Sequence, residues 1–489
     1  MKRTHSLLFL IVLFLFRAAT LSAQIELSPV FSDHMVLQQQ ANVPVWGKAK
    51  PGKTIQVTTS WDNKTYRQPV DPAGFWKVDV QTPVAGGPYT ITLSSGKSIT
   101  LNNVMIGDVW ICSGQSNMEM QVLGWGKVNN FEEEIKDAVY PDIRFLQIEK
   151  EVSPTPLNDI KAAGNGWQVC SPATVPDFSA VGYFFGRSIH QSQHIPIGLI
   201  NTSWGGTIAE TWTSRESLEA MKEFTEAIQA VSAMPSGQDK NPNRPTLLYN
   251  AMLHPLIPYT IKGAIWYQGE SNADRAYQYR ELFPLMITDW RKQWGYDFPF
   301  YFVQLANYKK QVAEPAESEW AELREAQLKT LHLNNTGMAV TIDIGDADDI
   351  HPKNKQDVGL RLALAARANT YKEKIDYSGP AYESYTIEGN KIRLFFTHTN
   401  GGLQPKGGEP LKGFAVAGVD HTFHWADAVI DGHTVVVSSP EVSFPVAVRY
   451  AWADNPVCNL VNGAQLPASP FRTDDWQGGD IRQEIMPAC

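Results

Sequence analysis

Three side chains from two distant segments of the chain have the types that nucleophilic catalysis needs: Ser116, Asp348 and His351. An unactivated serine hydroxyl is a weak nucleophile and needs an adjacent base, which the His351 imidazole can supply. Asp348, three residues earlier, is an acid that can orient the second ring nitrogen, and Asp349 and Asp346 are alternatives. The pattern predicts a Ser-His-Asp centre. Its structural alternatives are a serine that only caps a helix and a solvated acidic turn.

Donors for a negatively charged oxygen are found in three loops. Ser116 follows an apolar run and precedes a helical pattern, so its own N–H lies near a helix start. Gly206 lies in a Gly-Gly turn and offers a backbone N–H, and Gln268 offers a side-chain amide. Each of these groups is a candidate donor to an oxyanion. The alternatives are a tight turn for Gly206 and an ordinary polar loop residue for Gln268.

Large aromatic side chains flank the same loops. Trp125, Trp204 and Trp266 are candidates to stack on a sugar ring, and the alternative is that they fill the core. The sequence identifies no other substrate-binding residue.

A metal centre is not indicated. Four aspartates precede His351 closely: Asp343, Asp346, Asp348 and Asp349. Their spacing lacks the glycine and the terminal glutamate of an EF-hand calcium loop. His190 and His194 are four residues apart, but no glutamate follows His190, so the zinc-protease motif is missing. We therefore expect neither a metal nor a cofactor.

Five short apolar runs lead into the loops that hold these residues or into neighbouring ones. They are residues 104–111, 197–200, 261–267, 298–305 and 338–344. Helical patterns at 275–294 and 354–371 lie between or after them. Alternating strands and helices predict a mostly parallel sheet that is covered on both faces. Ligands bind beyond the carboxyl ends of such strands, which is where the candidate residues lie.

The segments on either side of this α/β region have a different hydrophobic pattern. Residues 24–104 show short alternating strands between turn signals, which is typical of a small β-sandwich. Residues 375–489 return to strand-like patterns. The chain therefore divides into an N-terminal β domain (24–104), a catalytic domain (105–374) and a C-terminal β-rich region (375–489).

The N-terminus has the layout of a secretory signal. Lys2 and Arg3 precede an apolar run at 7–16, and small residues follow as far as Ala23. The run is shorter than the roughly 20 residues that a membrane span needs. We expect residues 1–23 to be a signal peptide cut near Ser22 or Ala23. The mature protein is then secreted or periplasmic and has no membrane span.

Charge and cysteine content exclude further classes of partner and site. The formal net charge is −9, and no basic cluster occurs beyond the N-terminus, so a nucleic-acid partner is not expected. The four cysteines match no zinc site, and in an oxidising compartment they allow three disulfide pairings. They are Cys112, Cys170, Cys458 and Cys489.

Four segments together resemble the sialate O-acetylesterase family of the SGNH hydrolase superfamily. They are VWICSGQSNM at 109–118, NTSWGGT at 201–207, WYQGESN at 266–272 and DDIHP at 348–352, in the order of the family. The segment at 31–38 is similar to the leading β domain of the family, and that at 450–456 to its closing region. The resemblance covers nearly all of the chain beyond the signal.

The resemblance implies a fold, a reaction and a set of roles. The fold is an SGNH-hydrolase-like, doubly wound parallel sheet with flanking β-sandwich-like domains. Ser116 is the nucleophile, His351 the base and Asp348 the acid, while the N–H groups of Ser116 and Gly206 and the amide of Gln268 bind the oxyanion. Because the third block of the superfamily usually carries an asparagine, Asn272 is an alternative to Gln268.

The implied substrate is an acetylated sugar or glycan, most directly O-acetylated sialic acid, and no cofactor is needed. Acetylated xylan or pectin is the alternative substrate class, since a fold does not determine the sugar. A sugar-binding protein without catalysis is the alternative from another functional class.

Overall fold

The N-terminal part of the chain is built from β-strands, in a computed structural model that describes residues 25–235 and 240–476. The strands are β1 (Glu26–Leu27), β2 (Val36–Gln38), β3 (Asn42–Lys48), β4 (Thr54–Thr59), β5 (Thr65–Pro69), β6 (Phe75–Gln81), β7 (Gly86–Ser95) and β8 (Lys97–Gly114). Buried and less buried side chains alternate along β3 and β6, because only one face of each packs on the core. The proposed signal at 1–23 lies outside the described residues.

The long strand β8 joins this region to the central sheet. Its first part pairs antiparallel with β7, and its last part, from Asp108 to Gly114, enters the central sheet. The strand therefore runs without a break across the boundary expected between residues 104 and 105. A single hydrophobic core likewise includes Val45 and Val57 of the N-terminal region and Trp110 and Ile200 of the central sheet.

The central sheet is parallel where it carries the candidate residues. The strands that follow β8 are β9 (Tyr140–Gln147), β10 (Gln168–Cys170), β11 (Ile197–Ser203), β12 (Gly263–Tyr267), β13 (Phe300–Val303) and β14 (Thr336–Ala339). Their order is β10-β9-β11-β8-β12-β13-β14, and the pairs from β9 to β14 are parallel while β10 is antiparallel. All residues of β11, β12 and β13 are buried, as in strands covered on both faces.

Helices cover both faces of this sheet. The helices of this region are α1 (Ser116–Glu119), α2 (Phe131–Lys136), α3 (Ala180–Gln193), α4 (Arg215–Leu218), α5 (Thr225–Ser232), α6 (Ala276–Trp294), α7 (Glu319–Lys329) and α8 (Lys355–Asn369). Trp110 packs edge-on against Phe185 of α3, and Trp266 packs edge-on against Trp290 of α6. Trp110 pairs with Gly263, three residues before Trp266, so the two indoles point to opposite faces. The predicted alternation of strands and helices is confirmed.

The helices described in residues 25–235 and 240–476 include none that is long and apolar enough to cross a membrane.

The C-terminal region forms antiparallel sheets with a core of their own. Its strands are β15 (Ala381–Glu388), β16 (Lys391–Thr397), β17 (Leu403–Pro405), β18 (Phe414–Ala417), β19 (Phe423–Trp425), β20 (Asp427–Asp431), β21 (Thr434–Ser438), β22 (Ala447–Tyr450), β23 (Leu460–Asn462) and β24 (Phe471–Arg472). Buried Arg324 of α7 joins this region to the central one, because its guanidinium donates to the carbonyl oxygens of Ala453 (2.7 Å) and Asp454 (2.9 Å). The return to β structure predicted after residue 375 is confirmed.

The cysteines in the described part of the chain are free thiols. Cys112 and Cys170 are buried, Cys458 is half-buried, and Cys489 lies outside the described residues. Burial raises the pKa of the Cys170 and Cys458 thiols to about 12, so both stay protonated at neutral pH.

The end of β8 allows no side chain at Gly114. Its φ is 139°, and a Cβ there would lie 2.1 Å from the carbonyl oxygen of Tyr267 in β12. We expect G114A to lower the free energy of unfolding by about 3 kcal/mol, because two strand backbones would have to separate. G96A, in an open turn where φ is 96° and no atom lies within 4 Å, should cost about 1–2 kcal/mol from conformation alone. Chemical denaturation measures both, and equal losses would contradict the contact.

Candidate active site

Ser116 is the first residue of α1 and follows a sharp turn at the end of β8. The N–H of Gln115 donates to the carbonyl oxygen of Tyr267 (3.0 Å). The side-chain oxygen of Gln115 accepts from the N–H groups of Gly269 (3.3 Å) and Ser271 (3.2 Å). The loop after β12 therefore holds the turn that presents Ser116.

The structure brings Ser116 and His351 together from positions 235 residues apart. Ser116 Oγ lies 2.9 Å from His351 Nε2, in the loop between β14 and α8. Burial lowers the pKa of His351, and the nearby cation of Lys355 lowers it further, whereas Asp349 opposes both effects. The imidazole is therefore held in the neutral form, which can accept a proton from the hydroxyl.

Among the described contacts, the carboxylate that faces His351 belongs to Asp349. Its Oδ1 lies 3.4 Å from His351 Nδ1 and accepts the backbone N–H of His351 at 2.9 Å. Asp348 is exposed, and its N–H donates to Asp346 Oδ1 at 2.9 Å. The geometry thus favours the alternative acid named from the sequence. The role of Asp348 stays a prediction.

The aspartates that precede His351 do not converge on one point. Asp343 pairs with Arg361 (2.6 Å) and Lys406 (2.9 Å), so its charge is already balanced. In the described residues, no group of three or more His, Cys, Asp or Glu side chains is arranged to hold a metal ion.

The loop after β11 lies directly against the Ser116 turn. A Cβ on Gly205 would lie 3.2 Å from Ser116 Cβ, and the Gly205 N–H donates to the Glu119 carboxylate. That carboxylate is also paired with Lys150 Nζ at 2.6 Å. The N–H groups of Ser116 and Gly206 have no acceptor among the described residues. Two backbone donors are therefore free in the two segments that meet here.

Gln268 lies nearby but uses its side-chain hydrogens within the protein. Its Nε2 donates to Thr207 O (3.1 Å) and to Asn272 Oδ1 (2.6 Å), and its Oε1 accepts from the Tyr279 hydroxyl (2.9 Å). In this arrangement neither amide hydrogen is left for a substrate oxygen. That Gln268 contributes to an oxyanion hole stays a prediction.

Asn272 extends the same network. Its Oδ1 accepts the Ala209 N–H (3.0 Å), and its Nδ2 donates to Glu210 Oε2 (3.0 Å). Glu210 is buried and also pairs with Arg275. Because these bonds secure the residues just after Gly206, Gln268 and Asn272 together support the glycine loop. No sequence signal pointed to Glu210 or Arg275, which lie outside the recognised motifs.

The three candidate tryptophans have different environments. Trp266 is fully buried in the core. Trp125 is 57% exposed, and its ring meets the His351 ring edge-on at a centroid distance of 4.5 Å. Trp204 is half-buried, with Lys150 Nζ 5.5 Å from its ring centroid. Of these three tryptophans, Trp125 is therefore the one that is both exposed and in contact with His351.

Comparison with known families and proteins gives matches along most of the chain. The model of a family described as "Carbohydrate esterase, sialic acid-specific acetylesterase" matches residues 106–369. The sialate O-acetylesterase of Mus musculus is 31% identical, with 95% of this chain and 97% of that protein covered. The sialate O-acetylesterase of Homo sapiens is 32% identical, with 90% and 91% covered.

A solved structure is similar over the same length. A carbohydrate acetylesterase from Xanthomonas citri has a TM-score of 0.85 and 41% identity, and the match covers 93% of this chain and 100% of that one.

The contact between Asp349 and His351 predicts a measurable difference between the two neighbouring acids. Since the Asp349 carboxylate raises the pKa of His351, D349N should lower that pKa, whereas D348N should leave it unchanged. A pH titration of the histidine ring by NMR, with the resonance assigned through a His351 variant, measures this. A larger shift in D348N would make Asp348 the partner of the imidazole.

Proposed function

The chain belongs to the family of sialic acid-specific carbohydrate acetylesterases, and from this premise we propose that it removes O-acetyl groups from sialic acid with Ser116 as nucleophile. Carbohydrate ester hydrolysis follows from the family. The observation that carries the serine mechanism is the 2.9 Å contact between Ser116 Oγ and His351 Nε2.

The reaction proceeds through an acetyl-enzyme. Ser116 Oγ attacks the carbonyl carbon of the acetyl ester while its proton passes to His351 Nε2. The tetrahedral intermediate collapses, the ester C–O bond breaks, and the imidazolium gives its proton to the departing sugar oxygen. Water then attacks the acetyl group, His351 takes a proton from it and returns one to Ser116 Oγ, and acetate leaves.

The negative charge of each tetrahedral intermediate is met by the free N–H groups of Ser116 and Gly206. One well-placed oxyanion donor contributes roughly 3–4 kcal/mol to transition-state stabilisation. Gln268 and Asn272 act through the loop, because their hydrogen bonds to Thr207, Ala209 and Glu210 fix where the Gly206 N–H points. Gln268 thus supports the oxyanion hole indirectly and does not itself donate to the oxyanion.

Asp349 is the acid of the proposed centre. Its carboxylate faces Nδ1, so it orients the ring and stabilises the imidazolium that forms during the reaction. At 3.4 Å the contact is longer than an ordinary hydrogen bond, and Asp349 is only half-buried. We therefore assign it a smaller share of catalysis than the Ser116–His351 pair.

Sialic acid is supported as the sugar by the names of the family and of its mammalian relatives. Acetylated xylan or pectin is the second candidate, since the similar Xanthomonas citri protein is described only as a carbohydrate acetylesterase. Lys150, beside Trp204, places a cation near the Ser116 turn, although Glu119 balances its charge.

The proposed chain organisation keeps the catalytic unit at 105–374, which the family match at 106–369 supports. It is an SGNH-hydrolase-like, doubly wound sheet, flanked by a β-sandwich-like domain at 24–104 and a β-rich region at 375–489. Residues 1–23 form the signal that exports the protein, a proposal that rests on their sequence pattern alone.

Replacing the nucleophile tests the mechanism and the substrate together. S116A should reduce acetate release by about 10⁶-fold, because only the oxyanion donors and substrate binding then contribute to catalysis. The assay compares O-acetylated sialic acid with acetylated xylan. S98A, an exposed serine at the start of β8, is the matched control and should keep full activity. An active S116A would contradict the assignment of Ser116 as the nucleophile. Wild-type activity on acetylated xylan alone would contradict sialic acid as the substrate.

Trp125 should contribute to binding the sugar and not to the chemistry. We expect W125A to raise KM for the acetylated sugar about tenfold, equivalent to about 1.4 kcal/mol, through loss of ring stacking. Hydrolysis of 4-nitrophenyl acetate, which has no sugar, should be unchanged. W425A removes a similarly exposed indole from β19 and serves as the control. An equal loss on both substrates would mean that Trp125 mainly supports His351.

A further inference from the structure

Lys355 is a buried lysine that the mechanism above does not use. It is the first residue of α8 and has no exposed surface. Its Nζ donates to Asn117 Oδ1 at 2.5 Å and lies 5.5 Å from the centroid of the Tyr267 ring. Burying an ammonium group is costly unless it is paired, so its retention here calls for a specific role.

Asn117 connects Lys355 to both halves of the catalytic pair. It directly follows Ser116, and its Nδ2 donates to the carbonyl oxygen of Ile350 (3.0 Å), the residue before His351. The same Nδ2 donates to Glu270 Oε1 at 2.5 Å. Because Lys355 can only donate, it binds the amide oxygen and so turns the amide nitrogen toward Ile350. One buried side chain thus ties the nucleophile turn to the histidine loop.

The charges around this connection are few and close together. Glu270 and Asp349 are the carboxylates that face Lys355, and Asp349 and Lys355 are the charged groups that face His351. Glu270 Oε2 is buried without a hydrogen-bond partner among the described residues, and burial raises the pKa of Glu270. Burial also lowers the pKa of Lys355 to about 7.

We propose that Lys355 is a positioning residue for this reaction: through Asn117 it holds the His351 loop against the Ser116 turn, and its charge keeps His351 in the neutral form that accepts a proton. The proposal rests on the roles of Ser116 and His351 given above. It concerns a residue that touches neither the substrate nor the reacting atoms.

The pH dependence of the reaction separates this role from simple packing. A cation beside His351 disfavours the imidazolium, so its removal raises the pKa of His351. The acid limb of the kcat/KM profile should therefore move to higher pH in K355M. The loss of orientation should lower kcat by about 100-fold while KM changes little, because reacting atoms tolerate small displacements poorly.

Lys353 provides the matched control. It lies two residues earlier and is exposed, so K353M removes the same charge from solvent instead of the interior. K353M should leave both kcat and the acid limb unchanged. An equal shift in K353M and K355M would point to the general charge of the surface and overturn the specific role.

A variant that lacks both buried charges tests whether the effects of K355M come only from misfolding. K355M alone leaves Glu270 without its cation, and an unpaired buried charge can unfold a protein. K355M/E270Q removes both charges and should fold, as thermal unfolding will show, yet keep the shifted acid limb and the lowered kcat. A folded double variant with the wild-type kcat and acid limb would overturn the proposal.

S116A, measured in parallel, distinguishes the two levels of inference. If S116A is inactive and the Lys355 variants behave like wild type, only the positioning role fails. If S116A stays active, the proposed serine mechanism fails, and the positioning role of Lys355, which rests on that mechanism, fails as well.

Discussion

The close approach of β8 to β12 at Gly114 is the constraint on which the rest of this protein depends. Backbone packs on backbone there, since even a Cβ would lie 2.1 Å from the Tyr267 carbonyl oxygen. The chain can then leave β8 only by a sharp turn, which places Ser116 at the start of α1. Because β8 lies between β11 and β12, the loops after both neighbours reach that turn, and the loop after β14 contributes His351 across two further strands.

Buried polar side chains hold these loops in place. The interior penalises an unpaired amide or carboxylate, so most such groups pair with a group from another loop. Gln268 and Asn272 form hydrogen bonds with the loop that carries Gly206. Asn117 donates to the carbonyl oxygen of Ile350, the residue before His351. These bonds lie within the protein, and donors that are held in place stabilise developing charge better than water does. The same pairing makes Gln268 less available as a direct donor than its loop position indicated.

The contact between Ser116 and His351 and the layers of the central region were predictable. Apolar runs that end in Ser116 and shortly before His351 predict strand ends at one edge of a parallel sheet, and the structure puts the two side chains in contact. The carboxylate beside the imidazole was harder to predict, because Asp348 and Asp349 are adjacent and a turn of one residue decides which carboxylate faces the ring. The N-terminal boundary was also obscure, since β8 runs through it as one strand.

The sequence by itself determined which side chains are available, the order of strands and helices, and the family to which the chain belongs. Local pattern suffices for these features, since hydrophobic period and motif spacing are properties of neighbouring residues. The tertiary structure decided the surroundings of Lys355: in the sequence it is one lysine of a charged helix start, and only packing buries it against Asn117 and Glu270. Burial, hydrogen-bond partners and pKa depend on residues as many as 238 positions away, so no local pattern can report them.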